Sequence, residues 1–139
     1  MDSQRVAVVD HEQAFLDLMQ EMMTEQGFEA FSWHADEDTF ARLQEAQPHL
    51  AIIDIIAHYR DAAWALLERI HSDPTTVHIP VIVCTADVSH VRQKAAVLLQ
   101  YNYTVVEKPF DVEDLLRRVR GILSPQGEQG ARDPSSSRR

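Results

Sequence analysis

Five apolar segments of strand length begin near Arg5, Phe28, Leu50, Ile79 and Tyr103, and each is followed by a stretch whose apolar residues recur at helical spacing. A chain that alternates five times in this way has few architectures open to it. Parallel strands need a crossover between them, and each crossover helix must bury its apolar stripe against the sheet. The segments LAIID and IPVIVCT are almost continuously apolar, as expected of strands covered on both faces. The expected fold class is therefore α/β, a doubly wound five-stranded parallel sheet with helices on both faces.

The clearest helix follows Glu12, where Phe15, Leu18, Met19, Met22 and Met23 form a stripe and Gly27 stands at the C-cap position. The last helix begins at Asp111, an N-cap with Asp114 three residues on, and Val112, Leu115, Leu116 and Val119 form its buried face. Partial stripes mark the helices between: Phe40 and Leu43, then Leu66, Leu67 and Ile70, then Val91, Ala95 and Leu98. Residues 1–123 are read as one domain. The following SPQGEQGARDPSSSRR has no apolar face to offset its ordering entropy, so residues 124–139 read as a disordered tail or linker.

With 139 residues the chain holds one ordinary core, and its net charge of −9 argues against general affinity for nucleic acid or anionic membrane. The single cysteine, Cys84, lies in an apolar run and reads as a buried, inert thiol. No signal peptide or membrane-spanning run is visible, and a cytoplasmic protein is expected.

Ligands of open α/β sheets bind beyond the carboxyl ends of the strands. There the sequence places Asp10, Asp54, Thr85 and Lys108, after the first, third, fourth and fifth strands. Singly, each has a plain structural explanation: a helix cap, a good strand former, a solvated lysine. Together they describe a shared site of two carboxylates, a hydroxyl and an ammonium. The run Asp10-His11-Glu12 admits metal chemistry, acid–base chemistry or a polar start to the first helix.

The stretches VAVVDHEQAF, LAIIDI, IPVIVCTA and VVEKPF, in this order, resemble the receiver domain of bacterial two-component response regulators over residues 5–123. The resemblance implies the flavodoxin-like sheet of order 2-1-3-4-5, for which receivers are a standard example. It also implies a phosphoprotein that is not an enzyme. Asp54 would accept a phosphoryl group from a histidine kinase or phosphotransfer protein, and Thr85 and Lys108 would contact its oxygens. Mg²⁺ would be held by Asp10, Asp54 and the backbone carbonyl of Ile56, with Glu12 a further candidate ligand. Signalling would pass to a downstream protein, or to a second copy of the chain, through the face of helix four, strand five and helix five. There Arg92, Lys94, Glu113, Asp114, Arg117 and Arg118 would steer the contact.

The chain departs from that pattern at several positions. His11 stands where a second acid is usual, and imidazole suits Mg²⁺ poorly. It is read as facing solvent or capping the first helix, with Asp10 holding the ion weakly through water. His58 and Ala62 replace a usual proline and glycine, while Asp61 is retained from the same loop. Val105 takes the place of a switch aromatic, for which Tyr103, on the same strand face, is a candidate substitute. Tyr59 and Trp64 read as packing or rim aromatics. The alternative to a phosphoacceptor is a pseudo-receiver that binds protein regardless of phosphorylation. An enzyme on this scaffold has weaker support, since the chain has neither a glycine-rich phosphate loop nor a second acid two residues beyond Asp54.

Overall fold

The computed structural model describes residues 4–55 and 60–123, so the expectations for Ile56, His58, Tyr59 and residues 124–139 lie outside the described residues. Five strands, β1 (Arg5–Asp10), β2 (Glu29–His34), β3 (Leu50–Ile55), β4 (Val81–Thr85) and β5 (Thr104–Glu107), alternate with helices α1 (Gln13–Glu25), α2 (Thr39–Ala46), α3 (Arg60–Ser72), α4 (Val88–Gln93), α5 (Ala95–Tyr101) and α6 (Val112–Leu123). All strand pairs are parallel and the order is β2-β1-β3-β4-β5. This is the flavodoxin-like arrangement. The residues divide into two compact units after Pro109, the first holding the sheet with α1 to α5 and the second holding α6.

Alternation along the strands sorts the side chains between the two faces. Ala7, Val9, Ala51, Ile53, Ile55, Val81 and Val83 join Phe40 and Leu43 of α2, Leu67 and Ile70 of α3, Val91 of α4 and Leu98 of α5 in one buried cluster. Val6, Val8, Ile52 and Ile82 have the opposite parity and are equally buried. α1 packs against β1 and β2, and its buried residues lie outside the α2–α3 cluster.

The stripe of α1 is turned by one residue from the expected one. Leu16, Met19 and Met23 are buried, whereas Leu18 is 40% exposed and Phe15 and Met22 are only partly covered. The run FLDLMQEMM carries apolar residues on both flanks of the true stripe, so periodicity alone locates its centre to within a residue. The helix ends in a Schellman turn. Phe28 N–H donates to the Met23 carbonyl at 2.9 Å and Gly27 N–H to that of Thr24 at 3.0 Å. Gln26 is the C-cap, and Gly27, with φ of 89°, takes the left-handed position after it.

The expected fourth helix is two. Lys94 leaves helical angles (φ −101°, ψ 11°), and its amide is shared between the His90 and Val91 carbonyls. No proline or glycine marks the break. Val91 and Leu98 remain buried on either side of it, but Ala95 is exposed rather than part of the stripe. In α6 the expected cap forms, with the Asp111 carboxylate accepting from Glu113 N–H at 2.8 Å, and Leu115, Leu116, Val119 and Leu123 are buried.

Candidate functional site

Strand parity decides which of the polar strand-end residues meet. Asp10 continues the face of Val6 and Val8, and Asp54 that of Ile52. The β3–β4 register sets Asp54 opposite Cys84, one residue short of Thr85. Lys108 follows β5 with the parity of Thr104 and Val106, and its N–H donates to the Thr85 carbonyl at 2.7 Å. The peptide bond to Pro109 is cis. Asp10, Asp54 and Lys108 thus share a face, whereas Thr85 belongs to the other one.

The three shared residues converge. Lys108 Nζ donates to Asp10 Oδ2 at 3.2 Å and stands 2.9 Å from Asp54 Oδ1, a charge contact outside hydrogen-bonding alignment. Asp10 is secured by its other oxygen, Oδ1, which accepts from the backbone N–H groups of His11 (2.6 Å) and Glu12 (3.1 Å). This turn orients the carboxylate while leading the chain into α1, where Glu12 is the N-cap residue without a side-chain cap bond. Asp54 has no such support. Both its oxygens are buried, and neither receives a hydrogen bond from the described residues.

Burial raises the pKa of the Asp54 carboxyl, and the nearby Asp10 charge adds to this. Lys108 opposes both. For Lys108, burial works against the ammonium, but Asp54 and Asp10 more than offset it and hold its pKa above the usual lysine value. Cys84, the neighbour of Asp54 across β3 and β4, has its thiol pushed up to about 12, chiefly by burial, in keeping with an inert group.

The convergence lies in an open cleft of about 730 Å³, bordered by Asp10, His11, Glu12, Asp54, Ile55, Ala86, Asp87 and Lys108. Thr85 is absent from its described lining. Its buried hydroxyl donates to the Ile55 carbonyl at 3.0 Å and accepts from Asp87 N–H at 2.9 Å. Asp87, which the sequence reading passed over, places a further carboxylate at the cleft while capping α4 through His90 N–H. Its position two residues beyond Thr85 was the available signal. His11 and Asp54 also border a second cleft of about 560 Å³, whose apolar lining includes Val9, Phe40, Ile53 and Leu66.

Tyr103 and Val105 both pack against the α2–α3 cluster, as does Trp64. The Tyr103 ring meets His71 and Tyr101 edge-on, its hydroxyl has no hydrogen-bond partner among the described residues, and burial pushes its pKa up to about 12. Asp61 lies exposed in the first turn of α3.

The arrangement offers a buried nucleophilic or metal-binding oxygen beside a fixed cation, in a cleft wide enough for an anionic group. Its carboxylates suit a hard cation, and Mg²⁺ typically takes one or two of them with water. Among the described residues no group of three or more His, Cys, Asp or Glu side chains is placed to hold a metal. Asp10 and Asp54 are the carboxylates that would hold such an ion together with water, and the buried oxygens of Asp54 fit that demand.

A family model of the response regulator receiver domain matches residues 6–120. Among solved structures, the fold is similar to a CheY-like response regulator receiver domain protein from Methanospirillum hungatei JF-1. That match has a TM-score of 0.75 and 22% identity, and covers 93% of this chain and 100% of that one. Chemotaxis response regulator CheY4 of Vibrio cholerae is similar at a TM-score of 0.73 and 16% identity, covering 87% and 99%. NtrX from Brucella abortus, solved with ADP, is similar at a TM-score of 0.71 and 21% identity, covering 88% of this chain but 26% of that longer one. Among the described residues no helix is long and apolar enough to cross a membrane.

Proposed function

Because the chain belongs to the response regulator receiver domain family of two-component signalling, we propose that Asp54 is its phosphoryl acceptor. The observation that carries this reading is the buried Asp54 carboxylate, which has the Lys108 ammonium, a charge of opposite sign, 2.9 Å away. A carboxylate oxygen of Asp54 attacks the phosphorus of a phosphohistidine on a histidine kinase or phosphotransfer protein. The P–O bond forms as the P–N bond breaks, and the departing imidazole keeps the electron pair and takes a proton. Such a transfer depends on positioning and charge neutralisation more than on covalent help.

Lys108 supplies one fixed positive charge for the entering group. Asp10 and Asp54 would hold Mg²⁺, with Glu12 at the rim of the same cleft, and the ion would supply the second positive charge. The carbonyl of Ile56, implied by the family pattern as a further ligand, lies outside the described residues. Thr85 contacts the phosphoryl group after its hydroxyl leaves the Ile55 carbonyl.

Output is a protein contact with a downstream target or a second copy of the chain. On the surface of α4, α5 and β5, Leu99 of α5 is 81% exposed and Arg92 is exposed nearby in sequence, as a docking surface requires. Of the charges expected to steer that contact, Asp114 is paired with Arg117 (2.8 Å) and Arg118 (3.4 Å) within α6 itself.

The test is intact mass after incubation with acetyl phosphate, in Mg²⁺ and in chelator. One phosphoryl group should appear in Mg²⁺ and be absent in Asp54→Asn. Labelling of that variant overturns the assignment, and no labelling of the wild type favours the phosphorylation-independent binding module.

A further inference from the structure

The Lys108 ammonium has a third neighbour besides its two carboxylates. Its Nζ lies over the ring of Phe15, 4.7 Å from the centroid. Phe15 stands in the first turn of α1 and is partly buried. The core of that helix is made by Leu16, Met19 and Met23. The one-residue turn of the stripe therefore sends this ring toward the strand ends and not beneath the helix.

An aromatic face attracts an ammonium through its quadrupole. A third carboxylate would do so too, but it would add negative charge where a phosphoryl donor must approach. The ring adds none. It also fixes no single N–H direction, so the ammonium can turn from Asp54 toward a phosphoryl oxygen without leaving the ring. Its bulk keeps water from one flank of a cation whose other contacts, Asp10 and Asp54, are buried.

We propose that Phe15 is a positioning residue for Lys108, its ring face holding the ammonium between Asp10 and Asp54 on the side from which an incoming phosphoryl group is neutralised. The inference rests on Asp54 being the acceptor. A contact of this kind at a partly exposed site corresponds to about a three- to tenfold effect on phosphorylation rate.

The test replaces Phe15 in the full chain with phenylalanine carrying one, two and then five ring fluorines, a series that keeps shape and apolarity while draining the negative ring face. The rate of mass gain with acetyl phosphate and Mg²⁺ should fall stepwise, by about three- to tenfold at the last member. Phe15→Trp should retain the wild-type rate, and Phe15→Leu should match the pentafluoro form. A second readout is independent of phosphorylation: the ε-methylene protons of Lys108 should show an upfield ring-current shift by NMR that is lost in Phe15→Leu. A rate indifferent to fluorination in a labelled wild type, or unshifted ε-protons, overturns the role of Phe15 alone. If the wild type takes up no phosphate, the acceptor reading falls and this role with it.

Discussion

Lys108→Met removes a cation in contact with both buried carboxylates while leaving an apolar side chain of similar length against Phe15. Asp10 and Asp54 are each only 2% exposed at the side chain, so they then face each other with little solvent to replace the ammonium. Taking one partner from a buried ion pair costs about 3–5 kcal/mol. Lys108 keeps 23% of its side chain exposed, which places the expected loss near the lower end, about 3 kcal/mol. For a domain of this size that corresponds to a fall in Tm of roughly 10 °C.

The same substitution made in Asp54→Asn leaves only Asp10 unpaired and should cost about half as much. The resulting coupling of about 1.5 kcal/mol measures the Lys108–Asp54 contact. Without the ammonium the two carboxylates favour sharing a proton, and the folded state gains that proton more readily than the unfolded state. The gap between wild type and variant should therefore narrow as pH falls from 7 toward 4. Urea denaturation in chelator, at several pH values, measures all of this, chelator being needed because a divalent cation would stand in for the ammonium. A loss below about 1 kcal/mol at pH 7, or a gap that stays constant on acidification, refutes the picture of a charge-balanced buried triad.

Replacing His11 with Asp restores an oxygen and a negative charge beside the cleft. It should tighten Mg²⁺ binding about tenfold, or 1.4 kcal/mol, well within the about 4 kcal/mol that a unit charge at 4 Å contributes near a protein surface, while lowering metal-free stability. Titration followed by Trp64 fluorescence or thermal shift checks both halves, and equal affinities would place His11 outside the coordination shell. Burial holds the folded-state pKa of Asp54 above 3.8. Between 3.8 and that raised value the folded state binds more protons than the unfolded one, so the contribution of Asp54 to stability falls as pH rises through the window. The stability of wild type relative to Asp54→Asn should accordingly decline from pH 3 upward and then level off, and a flat or rising difference in denaturation series would contradict the burial argument.

β1, β3 and β4 were legible because each is a nearly unbroken apolar run buried on both faces, which leaves little freedom in composition, whereas β2 and β5 lie at the sheet edges and carry polar residues. Their order came from the resemblance, since β-α alternation alone does not say where the sheet reverses direction. Asp10, Asp54 and Lys108 could be named from strand ends, but their meeting depends on parity, which also removes Thr85 to the other face. That needs register to within one residue. The break at Lys94 left no mark in residue type, and the centre of the α1 stripe was obscured because Phe15 and Leu18 are as apolar as Leu16. Asp87 went unnoticed because an acid before a helix is an ordinary cap, which it also is.

The Thr85 hydroxyl has one proton and, in this structure, one acceptor role, and it gives both to backbone: the proton to the end of β3 and the lone pair to the amide that opens α4. It works as a rivet through two separate segments. Any rotation about its side-chain bond toward the cleft withdraws both fastenings in the same stroke, freeing a carbonyl beside Asp54 and an amide at the head of a helix. A change of that single torsion would release the end of β3 and the residue that caps α4 together.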